Sequence, residues 1–386
     1  MTEWIECTLD KLGEIVGGAT PSTKCEDYYG GSIPWITPKD LSSFKGRYIT
    51  SGERNITEKG LASCSAQMMP KDAVLFTSRA PIGYVAIASQ SVCTNQGFKS
   101  IVVNEKADPL FVYYLLKYNK DAIEAMGSGT TFKEVSGKTM RAVKVRIPLD
   151  VSYQKRIAAV LDSLDTKIEN NERINDNLQQ QAAALFAQYY EQASDLVPFT
   201  SVIQILGGGT PKTGNPMFWN GDVPFFTPKD VGTPYTLSTE KTITEDGLAH
   251  CNSRLYPVNT VFVTARGTVG KVGLPGVPMA MNQSCYALIG KGIDQLMVYF
   301  YTLRTVQALK HKASGAVFDA ITTRDFESET IRLIAEDAAA EFLSVAAPMF
   351  GQILGNSIEN QRLAELRDAL LPRLMAGEID VSDIII

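Results

Sequence analysis

The chain is poor in the residues from which catalytic and metal sites are usually built. Its 386 residues include only two histidines, His250 and His311, and its six cysteines are scattered without a Cys-x-x-Cys pair. With so few histidines, neither a Ser-His-Asp triad nor a zinc set of histidine and cysteine ligands can be assembled convincingly. We therefore expect no metal site and no catalysis in this chain, and we expect buried free thiols rather than disulfides.

Long apolar runs and a secretory leader are also missing. The N-terminal sequence MTEWIECTLDKLGEIVGG has neither the basic nor the apolar region of a signal peptide, and no run of 18 apolar residues occurs. The composition is that of a soluble protein, with 45% hydrophobic and 20% charged residues. These features predict a soluble protein located in the cytoplasm.

Two apparent catalytic motifs fail at individual positions. Gly137-Lys138-Thr139 resembles the end of a phosphate-binding loop, but Phe132 stands where that motif needs its first glycine. The tetrapeptide at 215–218, Asn-Pro-Met-Phe, resembles the Asn-Pro-Pro-Phe/Tyr motif of adenine methyltransferases, but its third residue differs. The chain therefore lacks the sequence motif of a methyltransferase or a nucleotide-hydrolysing enzyme.

What the chain does contain is a long internal repeat. Residues 17–41 return without a gap at 207–231, and 11 of 25 positions are identical, whereas average residue usage would give about one or two. At an offset of 187, residues 79–83 match 266–270, and an Asn-Gln pair recurs. Each half of the chain has about 193 residues, so we predict two domains, each with its own core.

Charge is distributed unevenly along this repeat. Residues 1–150 and 196–335 each carry a net charge of +2, whereas residues 151–195 and 336–386 carry −3 and −6. We therefore predict a globular domain at 1–150, a central helical spacer at 151–195, a second globular domain at 196–335 and a C-terminal helical spacer at 336–386. A net charge of +2 is compatible with DNA binding without requiring it.

Heptad patterns in both acidic segments predict long helices with a coiled-coil seam. The second pattern follows the first at an offset of 185, and both place asparagines in the same middle layer. A buried asparagine penalises slipped registers, because its amide is satisfied only opposite another polar group. The residues expected to line the seam include Ile157, Leu164, Asn171, Asn175, Leu178, Asn356, Asn360, Leu363 and Leu370.

Alternatives to this helix pairing stay open. Residues 168–170 also match 358–360 at an offset of 190, and the two helices could instead pack on separate domain cores. Pro348 interrupts the second pattern, because proline inside a helix removes a hydrogen bond and clashes with the preceding turn. The second helix could therefore kink, or begin near residue 347.

Between the helical segments, the sequence predicts mixed α/β (α+β) lobes. Asp108 and Pro109 open an apolar helical stretch at 110–117, which has a counterpart at 296–310. Strand-like runs surround both helices, at residues 73–77, 84–88, 100–103, 143–147, 261–264 and 285–289. The predicted fold is two pseudo-symmetric lobes separated by a pair of long helices.

This order of lobe, helix, related lobe and second helix resembles the specificity (S) subunit of type I restriction-modification systems. The run at 366–379, LRDALLPRLMAGEI, is similar to that family's LRDxLLPxLLxGEI signature, with Met375 in place of a leucine. The Thr-Pro-Lys-Asp blocks, the Arg-x-x-x-Gly turns and the Asn-Gln pairs extend the resemblance over essentially the whole chain. The first helix departs from the signature, since it carries QAAALF at 181–186.

The resemblance implies a DNA-reading subunit without catalytic activity. Each lobe would be a target recognition domain for one part of a split, asymmetric DNA sequence, and the helices would run antiparallel as a spacer. Residues 157–189 span about 50 Å at 1.5 Å per residue, which suits half-sites about one duplex turn apart. Two methyltransferase subunits would dock on this subunit, flip an adenine in each half-site and hold S-adenosylmethionine, so no cofactor is expected in this chain. A motor-nuclease subunit could join the complex.

Two groups of residues are candidates for DNA contact. Positions shared by both lobes would serve phosphates or the fold, since the aspartate of each Thr-Pro-Lys-Asp turn could cap backbone amides. The shared candidates are Lys39, Arg79, Asn95, Gln96, Lys229, Arg266, Asn282 and Gln283. Base readers are expected where the copies diverge, at 42–55 against 232–242 and at 118–133 against 305–319. The basic candidates there are Lys45, Arg47, Arg54, Lys133, Lys241, Lys310 and Lys312.

Two other functions compete with DNA specificity. One is a single-chain DNA-modifying enzyme with fused recognition lobes, which would need the catalytic motif that the sequence lacks. The other is a helical adaptor whose lobes bind protein or carbohydrate. If the lobes read DNA, we expect Arg47→Ala to weaken the reading of only one half-site.

Overall fold

The chain folds into two compact units, each built around one mixed α/β lobe. The computed structural model describes residues 2–129, 133–312 and 320–384. Unit 1 comprises Met1–Glu169 and Arg362–Ile386, and unit 2 comprises Asn170–Gln361. Each unit thus combines a lobe with helical residues from both acidic segments, and the division into four segments stays a prediction.

The first lobe is built from three sheets and short helices. Within its described residues the sheets have the strand orders β2-β9-β6-β7-β4, β5-β3-β8 and β1-β10. Strands β1 to β10 are Trp4–Thr8, Gly13–Gly17, Tyr29–Ile36, Tyr48–Ile49, Arg54–Ile56, Val74–Phe76, Val85–Ala88, Cys93–Thr94, Lys99–Val103 and Lys144–Pro148. Helices α1 to α5 are Pro38–Ser42, Glu58–Ala62, Pro109–Tyr118, Lys120–Ala125 and Gly137–Ala142, and the long helix α6 is Val151–Gln192.

Helix α3 shows how local sequence places the core of this lobe. The Asp108 carboxylate accepts a hydrogen bond from the Phe111 amide at 3.0 Å, and Pro109 occupies the first turn, where its missing amide hydrogen has no cost. Residues 111–116 are all buried in the core of unit 1. The capped start and the apolar run confirm the helix predicted here.

The second lobe repeats the topology of the first. Its sheets have the orders β12-β19-β16-β17-β14, β15-β13-β18 and β11-β20 among the residues described. Strands β11 to β20 are Asp195–Pro198, Ile203–Gly207, Trp219–Phe226, Tyr235–Thr236, Thr242–Ile243, Val261–Thr264, Val272–Pro275, Ala280–Met281, Cys285–Gly290 and Thr330–Leu333. Helices α7 to α11 are Phe199–Val202, Glu245–Ala249, Gln295–Lys312, Thr323–Glu327 and Glu336–Met375. The repeat in the sequence is therefore a repeat of the fold.

The predicted asparagine layer forms between α6 and α11 within unit 2. Asn356 Nδ2 donates to Asn175 Oδ1 at 2.8 Å, and Asn171 Nδ2 donates to Asn360 Oδ1 at 2.8 Å. Asn171 also donates to Glu359 at 2.7 Å. Because residue numbers fall along α11 as they rise along α6, the helical segments of this unit run antiparallel. This reciprocal pairing agrees with the offset of 185 and confirms the predicted layer.

Helix α11 differs from one expectation and contains an apolar window. It begins at Glu336 and continues through Pro348, so the alternative of a start near residue 347 is wrong. Pro348 has no amide hydrogen to donate to the carbonyl of Ser344, four residues earlier. Both residues are exposed, so water can bind that carbonyl instead.

In the described chain, α11 alone is long and apolar enough to cross a membrane by length and composition. That is a weak indication, because Phe342 and Ile353 in the same helix are buried in the core of unit 2.

The cysteines take no part in cross-links. All six are free thiols. Cys93 and Cys285 are buried, and burial raises the pKa of each thiol to about 12. The other four are only partly buried, which corrects the expectation that all of these thiols lie in the core.

Candidate nucleic-acid interface

In each lobe, the Thr-Pro-Lys-Asp block forms a turn that its aspartate holds together. Asp40 accepts hydrogen bonds from the Thr37 amide at 2.7 Å and from the Thr37 hydroxyl at 2.6 Å. It also accepts one from the Glu53 amide at 2.7 Å. Asp230 makes the same three contacts in the second lobe, at 2.6 to 2.9 Å. The aspartates thus have the capping role that the sequence allowed, and they support the lysine beside them.

Both of these lysines extend into solvent. Lys39 is 78% exposed and its ammonium lies 2.7 Å from a Glu53 carboxylate oxygen, an interaction that lowers the pKa of Glu53. Lys229 is 79% exposed and lies 3.7 Å from Glu240. Exposed ion pairs of this kind contribute little to stability, so either lysine can exchange its glutamate for a phosphate at little cost.

The Asn-Gln pairs are engaged inside their own lobes. Asn95 Oδ1 accepts a hydrogen bond from the Gly97 amide at 2.8 Å, and Asn282 Oδ1 accepts one from the Ser284 amide at 3.0 Å. The side-chain carbonyls of the neighbouring glutamines accept from threonine hydroxyls of the repeated block, Gln96 from Thr20 and Gln283 from Thr210. These contacts favour the structural interpretation, in which the pairs join the strand ends to the block.

The Arg-x-x-x-Gly turns carry exposed arginines and are crossed by lysines. Gly83 and Gly270 have positive φ angles of 94° and 71°. A Cβ atom at either glycine would lie 2.4 Å from a lysine side-chain carbon, of Lys120 or Lys310. The positive φ favours glycine at this position, and any larger residue would also have to displace the lysine side chain. Lys120 was missed in the sequence analysis, although its offset of 190 from Lys310 could have revealed it.

In the second lobe, these features meet in one cleft of about 440 Å³. Lys229, Lys241 and Arg266 line it, with Glu240 as the carboxylate among its lining residues. Thr268 Oγ1 donates to the Pro228 carbonyl at 3.1 Å and so joins the arginine turn to the Thr-Pro-Lys-Asp turn. Lysine and arginine side chains in one open cleft suit phosphate oxygens and the hydrogen-bond acceptors of base edges.

In the first lobe, the equivalent arginine is paired. Arg79 Nε lies 3.0 Å from Glu134 Oε2, and Lys99 Nζ lies 3.6 Å from the other oxygen of the same carboxylate. Lys45, Arg54 and Lys133 are exposed in this lobe, and their contact with DNA stays a prediction.

Two of the basic candidates, Arg47 and Lys312, form ion pairs with buried or half-buried carboxylates of the protein. Arg47 is only 6% exposed, and its guanidinium binds Asp162 at 2.6 Å and Glu169 at 3.0 Å on α6. It holds the lobe on the helix of its own unit and cannot reach a base in this arrangement, which corrects the expectation of a base reader. Lys312 lies 2.5 Å from Glu329, a carboxylate that is 7% exposed. The divergent ranges at 118–133 and 305–319 extend in part beyond the described residues, at 130–132 and 313–319.

Metal ligands do not cluster in the part of the chain that the structure covers. No group of three or more His, Cys, Asp and Glu side chains there could hold a metal ion. Among the described residues, the exposed lysines and arginines at the Thr-Pro-Lys-Asp and Arg-x-x-x-Gly turns are the groups suited to a negatively charged ligand.

Comparisons with known proteins place the chain in a family. The family described as "Type I restriction modification DNA specificity domain" matches residues 1–180 and again residues 195–336. The specificity subunit of the type I restriction enzyme MjaIX from Methanocaldococcus jannaschii is 30% identical, over 99% of this chain and 95% of the relative. The HindI specificity subunit of Haemophilus influenzae is 24% identical, over 73% of this chain and 80% of the relative.

A solved structure has the same fold. The S subunit of a type I restriction-modification system from M. genitalium aligns with a TM-score of 0.63 at 13% identity, covering 97% of this chain and 96% of that one. The repeated lobes, the two long helices and both family matches therefore agree, and the chain belongs to the family of type I restriction-modification specificity subunits.

Proposed function

We propose that each lobe reads one part of a split, asymmetric DNA target through the edge where its Thr-Pro-Lys-Asp and Arg-x-x-x-Gly turns lie. The cleft of the second lobe carries this proposal, because Lys229, Lys241 and Arg266 line one open surface. Cations that neutralise phosphates release condensed counterions, which is the main source of affinity in DNA binding. The first lobe has Lys39, Arg54 and Arg79 at the equivalent positions, and Arg79 is paired with Glu134 there.

Positions shared by the lobes and positions that differ have separate roles in this proposal. Lys39 and Lys229 lie on equivalent capped turns, one in each lobe, so each binds the phosphate backbone of its own half-site. Sequence-specific contacts come from side chains that have no equivalent in the other lobe, or from shared side chains whose surroundings differ between the lobes. Lys45 and Lys133 are such residues, because glycine and aspartate stand at the matching positions.

The long helices and the partner proteins complete the proposed complex. Helix α6 has 42 residues, or about 63 Å at 1.5 Å per residue, and the asparagine layer fixes its register against α11 in unit 2. Exposed apolar side chains on these helices, Ile174, Val345 and Leu366, are available for docking two methyltransferase subunits. Those subunits hold S-adenosylmethionine, a motor-nuclease subunit completes a restriction complex, and the assembly works in the cytoplasm.

Methylome mapping tests this function. Deletion of the chain should abolish N6-methyladenine at one bipartite sequence, and re-expression should restore it. The double variant Lys229→Glu/Arg266→Glu should lose this methylation, because both changes put negative charge into the cleft. Lys212→Glu is the matched control, since this exposed lysine lies in the same lobe and does not line the cleft. An unchanged methylome after deletion would contradict the proposal, and methylation by the purified chain alone would indicate a single-chain enzyme.

A further inference from the structure

The same arginine has different surroundings in the two lobes. In the first lobe, the Glu134 carboxylate lies between two cations, 3.0 Å from Arg79 Nε and 3.6 Å from Lys99 Nζ. The backbone of Glu134 is fixed as well, because it exchanges hydrogen bonds with Ser128 at 2.9 and 3.0 Å. The ion pairs of its side chain and the hydrogen bonds of its backbone thus hold Glu134 beside Arg79.

In the second lobe, a small neutral residue takes the place of this glutamate. Arg79 pairs with Glu134 in an isolated β-bridge, and Arg266 pairs with Ala320 in the same way. The amide of the next residue in each lobe donates a hydrogen bond to the carbonyl of the residue before the arginine, Val135 to Ser78 and Ile321 to Ala265, at 2.9 Å in both cases. The backbones are therefore equivalent, and the difference lies in the side chain, a carboxylate at 134 and a methyl group at 320.

The lysine of the first lobe is replaced too. Lys99 pairs with Gly17 in the antiparallel register, and Tyr286 pairs with Gly207. The second lobe therefore loses the carboxylate and the lysine together. Among the described residues, none places a carboxylate on Arg266, whose exposed guanidinium lines the cleft with Lys229 and Lys241.

We propose that the residue opposite the shared arginine decides which lobe uses it on DNA. Because Ala320 has no charge, Arg266 can donate hydrogen bonds to a pair of DNA acceptor atoms. Glu134 instead pairs with Arg79 and prevents this contact. This inference rests on the proposed function. An arginine fork matches the O6 and N7 atoms of guanine or two phosphate oxygens. A carboxylate beside the arginine competes with DNA for the guanidinium and repels the DNA backbone at the same time.

Placing the missing carboxylate in the second lobe tests the proposal. DNA binding is measured for the full chain in complex with its methyltransferase subunits, on a duplex that carries the methylated bipartite sequence. Ala320→Glu should weaken binding about tenfold or more, because the new carboxylate captures Arg266. Ala320→Gln is the matched control, since it adds a side chain of the same size without charge, and it should stay within about threefold of the parent.

The acceptor on the DNA is identified with Arg266→Ala. A loss on every sequence, with a salt-dependence slope reduced by about one, indicates phosphate, and a loss confined to one base pair of one half-site indicates guanine. Either result supports the proposal. In the first lobe, Arg79→Ala should change binding less than about threefold while Glu134 is present, and should weaken it further in a Glu134→Gln background.

Several outcomes would overturn this inference. One is that Ala320→Glu binds DNA as tightly as the parent, and another is that Ala320→Glu and Ala320→Gln weaken DNA binding equally. A third is that Arg79→Ala weakens DNA binding as much as Arg266→Ala does. Thermal melting of each variant complex shows whether a loss comes from misfolding; if Ala320→Glu melts early, Arg266→Ala carries the test. If the parental complex binds no bipartite duplex, the proposed function itself fails, which separates that failure from a failure of this inference alone.

Discussion

The two lobes share one topology, but different kinds of side-chain contact attach each lobe to the helices of its own unit. In unit 1, the Arg47 guanidinium lies on α6, where it binds Asp162 at 2.6 Å, Thr166 at 2.9 Å and Glu169 at 3.0 Å. Burial alone would lower the pKa of Arg47, but the neighbouring Asp162 and Glu169 carboxylates raise it, so the charge is kept. The Nε atom has no hydrogen-bond partner among the described residues, so the fit is incomplete.

A second polar group joins this lobe to both helices of unit 1. Asp165 on α6 accepts a hydrogen bond from the Tyr114 hydroxyl at 2.7 Å, and Arg367 on α11 donates to it at 2.6 Å. Burial first, and the Asp165 carboxylate second, raise the pKa of Tyr114, so the phenol stays a neutral donor. Because these groups are largely buried, each depends on its partner for the hydrogen bonds it would otherwise make with water.

Unit 2 has apolar residues where unit 1 has this network. Arg47 accepts a hydrogen bond from Ile87 through its carbonyl, and Pro234 accepts the equivalent one from Leu274. Pro234 therefore stands at the position of Arg47. The helix residues at the offset of 185 from Asp162, Thr166 and Glu169 are Ala347, Gly351 and Leu354. They line a cavity of about 230 Å³ in the space that corresponds to the arginine network.

An aromatic cluster holds the second lobe instead. Phe350 takes the position of Asp165, and its ring lies 5.6 Å from that of Phe300. Phe186 stacks on Phe300 at 5.0 Å and meets Phe342 edge to face at 5.5 Å. One fold can thus be fixed on a helix by ion pairs or by ring packing. The ion pairs depend on every partner being present, whereas apolar contacts tolerate imperfect fit, including a cavity.

The largest effect is expected from breaking the aromatic attachment. Phe186→Ala removes a buried ring that contacts helices α9 and α11, and it should destabilise unit 2 by about 3 to 5 kcal/mol. Urea denaturation measures the loss, and hydrogen exchange resolved by peptide should place the faster exchange in unit 2. Met217→Ala is the control, because this residue is 72% exposed and should cost less than about 0.5 kcal/mol. Equal effects of the two changes would contradict the role of the cluster.

A smaller loss is expected from breaking the polar attachment. Arg47→Ala leaves Asp162 and Glu169 without their cation, and it should destabilise unit 1 by about 2 to 4 kcal/mol, since both carboxylates keep some contact with water. Hydrogen exchange should now rise in unit 1. Arg54→Ala removes an exposed arginine of the same lobe and should leave stability unchanged. A change in base preference without a change in stability would return Arg47 to the role of a base reader.

The sequence could predict those features that depend on periodicity and on local chemistry. The asparagine layer follows from two heptad patterns at one offset, because an amide at a seam position needs a polar partner opposite. Helix α3 follows from Asp108, Pro109 and the apolar run after them. The helix start is local information and the layer follows from comparing two repeated patterns, so neither requires knowledge of the tertiary structure.

The candidate site was harder to predict, because a basic residue has the same identity whether it faces DNA or its own protein. Arg47 was expected to read bases, but its partners lie 115 to 122 residues away on α6. Glu134 is 55 residues from Arg79 and follows directly after the divergent stretch 118–133. Long-range pairing of this kind is set by the tertiary fold, and the pattern of charges along the chain does not contain it.

The smallest effect concerns the cavity of unit 2. Gly351 lines it, and a Cβ atom there would meet nothing within 4 Å, so Gly351→Ala should fit without strain. Alanine favours the helix and fills part of the cavity, which should stabilise unit 2 by about 0.5 to 1 kcal/mol in urea denaturation. Gly355→Ala is the matched control, since Gly355 is equally open but does not line the cavity. Equal gains mean that helix propensity accounts for both, and a larger gain at Gly351 means that the empty space weakens this attachment. A loss at Gly351 would show that the cavity has to stay open, and the two lobes would then differ in more than the chemistry of their attachment.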